Sequence, residues 1–153
     1  MRFDKKKLGL VTLIAYIFFL IILAVLNRDS GTSNTVKSDL FWGYNNPPEY
    51  IYKDNILNIA LFIPIGVLAG IVFKKHRVLK ALLVGLLVSL TIEFSQLTWK
   101  RGVFDIDDLF NNSLGAFIGG LLVFAVISIK QIKTKKYINE TDYTRSQEWG
   151  DHS

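Results

Sequence analysis

Between Glu93 and Gly120 the sequence EFSQLTWKRGVFDIDDLFNNSLGAFIGG sets four carboxylates (Glu93, Asp105, Asp107, Asp108) and three amides (Gln96, Asn111, Asn112) beside apolar runs. Lys100 and Arg101 lie in the same stretch. Carboxylates grouped this way can hold a hard cation such as Mg²⁺, and Glu93, Asp105 and Asp108 are the candidate ligands. A desolvated carboxyl can also act as a general acid or base. A guanidinium such as that of Arg101 suits a phosphate or a carboxylate. A plainer account stands beside each of these. Aspartates in the first turn of a helix cap its free N–H groups and meet the positive end of its dipole. Glu93 can pair with Arg101 or Lys100 to lower its insertion cost. Asparagines inside a bundle can serve as interhelical hydrogen-bond glue.

Such groups need a scaffold, and the composition says which. Of 153 residues, 50% are hydrophobic, and the 18 Lys+Arg against 13 Asp+Glu give a net charge of +5. The basic residues flank apolar runs and line no single polar face, so a membrane explains them and nucleic acid does not. With no cysteine in the chain, disulfides, thiolate nucleophiles and zinc–thiolate sites are excluded. His76 and His152 lie in a basic turn and at the terminus, so a histidine-based metal site is not expected.

Four runs have the length of membrane spans. Arg2, Lys5, Lys6 and Lys7 precede Leu8–Leu26, nineteen uncharged residues that approach the thickness of a hydrocarbon core. The run exceeds a signal-peptide core and ILAVLNRD offers no small-x-small cleavage site, so an uncleaved helix is expected. Residues 27–54 form a polar, aromatic-punctuated connection of the kind found at membrane interfaces, long enough to cover something. A second helix is expected over Asn55–Phe73, with Asp54 as N-cap, Asn58 one turn in and Pro64 at mid-span. A third is expected over Leu79–Thr98, and a fourth from about Asp105–Asp108 to Ile129. Gly66/Gly70 and Gly115/Gly119 are GxxxG pairs, faces through which helices of this chain, or of two copies in a homo-oligomer, can pack closely. Residues 130–153 are expected to be a polar, flexible tail.

The resulting expectation is an all-α integral membrane protein with four transmembrane helices in a small bundle. Its parts are residues 1–26, the loop 27–54, a three-helix core 55–129 and the tail 130–153. Twelve basic residues lie at the N-terminus, the Lys74–Lys80 turn and the start of the tail; five lie in the other two loops. That bias puts both termini in the cytoplasm and the Glu93–Asn112 cluster at the outer leaflet. At about 100° per residue, Asp105, Asp108, Asn112, Gly115 and Gly119 fall on one stripe. Asp107 and Asn111 then point elsewhere, toward loop or headgroups. With Ser89, Glu93 and Gln96 on one stripe of the third helix and Asn55 and Asn58 on the second, three helices deliver polar groups to one outer pocket. The candidate ligand-binding residues are Asn58, Glu93, Gln96, Arg101, Asp105, Asp108 and Asn112.

These motifs resemble the VanZ-like family, named for a glycopeptide (teicoplanin) resistance protein. The matching residues are Asn58-Ile-Ala-Leu-Phe-Ile-Pro64-Ile-Gly66 and Glu93-Phe-Ser-Gln96. Arg101-Gly-Val-Phe-Asp105-Ile-Asp107-Asp108 and Asn112-Ser-Leu-Gly115 with Gly119 complete the set, over residues 55–125. The resemblance implies a small multi-pass bacterial cell-membrane protein and, as the family's named phenotype, reduced susceptibility to lipoglycopeptides. A biochemical activity does not follow from the resemblance.

Two functional classes follow. One is a non-catalytic envelope protein, without cofactor, whose outer pocket binds a membrane lipid, a lipid-linked cell-wall precursor or a lipoglycopeptide. The other is an integral-membrane enzyme acting on a lipid-linked phosphate, with Mg²⁺ as cofactor. No histidine, cysteine or evident serine nucleophile accompanies the carboxylates, and only one arginine is well placed. The first class is therefore preferred. A transporter is the weakest option, because four helices are few.

Overall fold

A computed structural model describes residues 4–26, 36–37, 49–100 and 104–150. Its helices are α1 (Lys5–Leu26), α2 (Glu49–Val72), α3 (Arg77–Thr98) and α4 (Ile106–Gly150). Two strands of two residues each, β1 (Val36–Lys37) and β2 (Phe104–Asp105), pair in parallel, Val36 opposite Phe104 and Lys37 opposite Asp105. All four helices are long and apolar enough to cross a membrane. The chain divides into two units, residues 1–123 and 124–153.

In the first unit the side-chain contacts give the helix directions. Tyr16 Oη donates to the Leu61 carbonyl at 3.0 Å, while Gly9 lies against Val72. Later residues of α1 thus meet earlier residues of α2, and the two are antiparallel. Gln96 of α3 reaches the Ala24 carbonyl of α1, so α3 and α1 run the same way. The Leu61 carbonyl that accepts Tyr16 lies three residues before Pro64, in the turn where the proline removes a helix hydrogen bond. A neighbouring helix here adds a donor beside that break, as membrane bundles with interior prolines do.

Helix α4 packs on two neighbours through two rows of residues, each spaced by four. Asn111, Gly115 and Gly119 meet Asn55, Ile59 and Ile63 of α2, the numbers rising together, so the helices are parallel. Asn112, Ala116 and Gly120 meet Ser89, Gly85 and Ala81 of α3, the numbers running opposite, so those helices are antiparallel. Small residues bring the backbones close. A Cβ on Gly119 would sit 2.8 Å from Val67 N and 2.9 Å from the Gly66 Cα. This is the small-residue packing that membrane helices use where no hydrophobic force drives association. Both GxxxG pairs are consumed inside the chain, and a homo-oligomer would have to use other faces.

Three element boundaries differ from the sequence-based expectation. α2 begins at Glu49, directly after Pro47-Pro48 in sequence, so Asp54 lies inside the helix and caps nothing at its start. α3 begins at Arg77, two residues early, and Arg77 Nη1 donates to the Gly70 carbonyl near the end of α2 at 2.6 Å. α4 continues through the polar tail to Gly150. In the second unit, residues 130–140 are all exposed, and Lys136 and Glu140 form an exposed i,i+4 pair at 3.7 Å. Lysine, glutamine and glutamate are good helix formers, so a charged tail need not be irregular.

Candidate functional site

The polar residues of the first unit gather at one end of the bundle. That end holds the C-termini of α1 and α3 and the N-termini of α2 and α4. Its best-defined feature is the start of α4. Asp105 precedes the helix, and its Oδ1 accepts the Asp107 backbone N–H at 3.0 Å, as an N-cap does. The backbone N–H of Asp105 in turn donates to Glu93 Oε2 on α3 at 2.9 Å. In a capping box the third helical residue reaches back to the cap's own N–H. Here Glu93, 1% exposed, does this from another helix. The parallel pairing of Lys37 with Asp105 adds β1 to the same point.

Below the cap, side chains bridge the helices in turn. Asn58 Nδ2 donates to Asp108 Oδ1 at 2.6 Å, and Asn111 Nδ2 donates to Asn55 Oδ1 at 3.0 Å, both joining α2 to α4. Asn112 Nδ2 donates to Ser89 Oγ at 2.9 Å, joining α4 to α3. Gln96 Nε2 donates to the Ala24 carbonyl at 3.3 Å, joining α3 to α1. Hydrogen bonds of this kind contribute about 0.6–2 kcal/mol each in a membrane. Among the described residues, the buried side-chain atoms without a protein partner are Asn55 Nδ2, Gln96 Oε1, Asn112 Oδ1 and Ser113 Oγ.

Of the seven residues expected to form the site, Asn58, Glu93, Gln96, Asp105, Asp108 and Asn112 all lie at this end, and Arg101 lies outside the described residues. They form a network spread over three helix interfaces. Glu93 and Asp105 meet through backbone capping, and Asp108 turns to Asn58. Among the described residues no group of three or more histidine, cysteine or acidic side chains stands close enough to hold a metal ion.

One residue expected to point toward loop or headgroups turns inward, since Asn111 meets Asn55 of α2. Asn111 is 0% exposed and Asp107 is 6% exposed. A single protein-facing stripe leaves them outside, but α4 has a neighbour on each of two sides, and Asn111 heads the row that faces α2. The signal was the spacing Asn111–Gly115–Gly119, an i,i+4 ridge. Asn55 and Ser89, expected on the polar stripes of their helices, join the network as the partners of Asn111 and Asn112. The contribution of Tyr16 carried no sequence signal, because a tyrosine inside an apolar run is equally at home facing lipid.

A family model described as VanZ/LLP1 matches residues 9–128, which takes in α1 as well as the polar core. The chain belongs to the VanZ/LLP1 family. Protein VanZ of Enterococcus faecium is 33% identical over 132 residues, spanning 84% of this chain and 76% of that protein. No solved structure matches. As a VanZ/LLP1 protein with four such helices, the chain is a multi-pass membrane protein.

Proposed function

We propose that this VanZ/LLP1 protein is a non-catalytic protein of the bacterial cell membrane, with both termini in the cytoplasm and its polar end at the outer leaflet. There it binds the headgroup of a lipid or of a lipid-linked cell-wall precursor. Glycopeptides of the teicoplanin type then reach their target less well. The observation that carries this reading is the polar end itself. It gathers amides, carboxylates and hydroxyls from three helices, and intramembrane polar groups are costly. The buried oxygens of Gln96 and Asn112 that lack protein partners support further hydrogen bonding there. Membership of a family named for glycopeptide resistance supports the phenotype.

The test replaces charge and keeps packing. Asn in place of Asp105 retains an oxygen for the cap, and in place of Asp108 an oxygen for Asn58. Wild type, Asp105→Asn and Asp108→Asn are expressed at equal membrane abundance in a susceptible bacterium. Wild type is expected to lower teicoplanin susceptibility and the drug bound to cells, and the variants are not. Loss of the effect with an altered, Mg²⁺-dependent pool of lipid-linked phosphates would replace binding with catalysis. Variants indistinguishable from wild type would leave the carboxylates as structural caps.

A further inference from the structure

We propose that one exposed face of α4 from Val126 to Tyr137 is a docking strip for anionic phospholipid. The inference is independent of the polar end. Val126, Lys130, Lys133 and Tyr137 are spaced by four, three and four residues. At about 100° per residue they fall on one line along the helix, about 60° wide. All four are exposed, Val126 at 53% and Tyr137 at 71%. Ile129, also exposed, flanks the line on the apolar side and Lys136 on the basic side.

The order along the line matches a lipid from chain to headgroup. Residues 109–129 carry no charge, and Lys130 is the first charged residue after them. Val126 and Ile129 therefore stand at the level of acyl chains, Lys130 and Lys133 at the phosphate, and the Tyr137 hydroxyl beyond it. Long lysine stems and a tyrosine tip suit such a boundary. No acidic residue occurs between Asp108 and Glu140, so nothing on this stretch neutralises the two lysines from within. Glu140 does pair with Lys136, which leaves Lys130 and Lys133 as the principal cations. A lysine at a membrane surface contributes roughly fivefold to binding of anionic lipid. A soluble polyanion would satisfy the charges and leave Val126 and Ile129 without a partner, so the lipid is favoured.

Lys135 supplies the internal control. It lies half a turn from the line, on the opposite face of the same helix, with the same charge. Purified full-length protein in neutral detergent is titrated with phosphatidylglycerol and with chain-matched phosphatidylcholine, and bound lipid is counted by native mass spectrometry. Wild type is expected to prefer phosphatidylglycerol. Lys130→Gln/Lys133→Gln should reduce that preference about tenfold or more, while Lys135→Gln changes it less than twofold. Glutamine keeps the helix, and circular dichroism confirms it. Equal losses in Lys133→Gln and Lys135→Gln would reduce the effect to net charge and overturn the strip. So would an unchanged preference in the double variant, or displacement of the lipid by a single-stranded oligonucleotide.

Discussion

Glu93 Oε2 on α3 accepts the backbone N–H of Asp105, the residue that caps α4, at 2.9 Å. One carboxylate thereby fixes where α4 starts relative to α3. Removing the acceptor leaves a part-buried N–H without it, and the full cost for a buried donor, about 1–3 kcal/mol, is the upper bound. Glu93→Ala should lower the thermal midpoint in detergent, and Glu93→Gln should lower it less because the amide oxygen can still accept. A Glu93→Ala midpoint equal to that of wild type would mean that the contact contributes nothing to folding.

The two ridges of α4 make a ranking of glycines. A Cβ on Gly119 meets the Ile63 carbonyl, Val67 N and the Gly66 Cα, all backbone. A Cβ on Gly70 meets the Val123 side chain at 3.1 Å, which can shift by a few tenths of an ångström. Overpacking against atoms that cannot give costs about 1–3 kcal/mol. Gly119→Ala should therefore destabilise clearly and Gly70→Ala only slightly, measured by detergent thermal unfolding. The reverse order would place α2 and α4 differently from the parallel pairing described.

What could be read in the sequence depended on which physical signal each feature left. Length and apolarity mark the four spans, and the i,i+4 rows of small residues mark close helix pairs. The end of the bundle that carries Asn58, Glu93, Asp105, Asp108 and Asn112 follows from counting residues along helices that alternate in direction. The facing of Asn111 did not follow, because a stripe on one helix does not say how many neighbours it has. Asp54 resembles a cap in isolation, yet nothing in Glu49–Lys53 prevents the helix from starting earlier. The pairing of Val36–Lys37 with Phe104–Asp105 is two residues long, too short to leave a periodicity.

Asn55 and Asn111 offer a direct measure of polar coupling between α2 and α4. Their hydrogen bond is 3.0 Å long and buried. Asn55→Ala and Asn111→Ala should each destabilise, and the double variant by less than the sum. A coupling of about 0.6–1.7 kcal/mol is expected for a membrane hydrogen bond. Strict additivity in the cycle would separate the two side chains.

The direction in which the polar end faces decides whether the proposed function can operate at all. In the sequence, twelve basic residues fall in the N-terminal segment, the Lys74–Lys80 turn and the start of the tail, against five in the other two loops, a bias that predicts the polar end outside. The chain has no cysteine, so a single introduced one is a unique label. Trp99 is 59% exposed just past the end of α3, near Glu93 and Gln96, and Lys75 is exposed in the turn between α2 and α3 at the other end. In intact cells a membrane-impermeant maleimide should modify Trp99→Cys and spare Lys75→Cys, and permeabilisation should expose both. Trp99 makes none of the bridges of the polar network described, so its replacement leaves them in place. Labelling of Lys75→Cys alone would turn Glu93, Asp108 and Asn112 toward the cytoplasm. A glycopeptide outside the cell could not then be affected through that end, and the proposed function would fall while the docking strip on α4 kept its chemistry in the opposite leaflet.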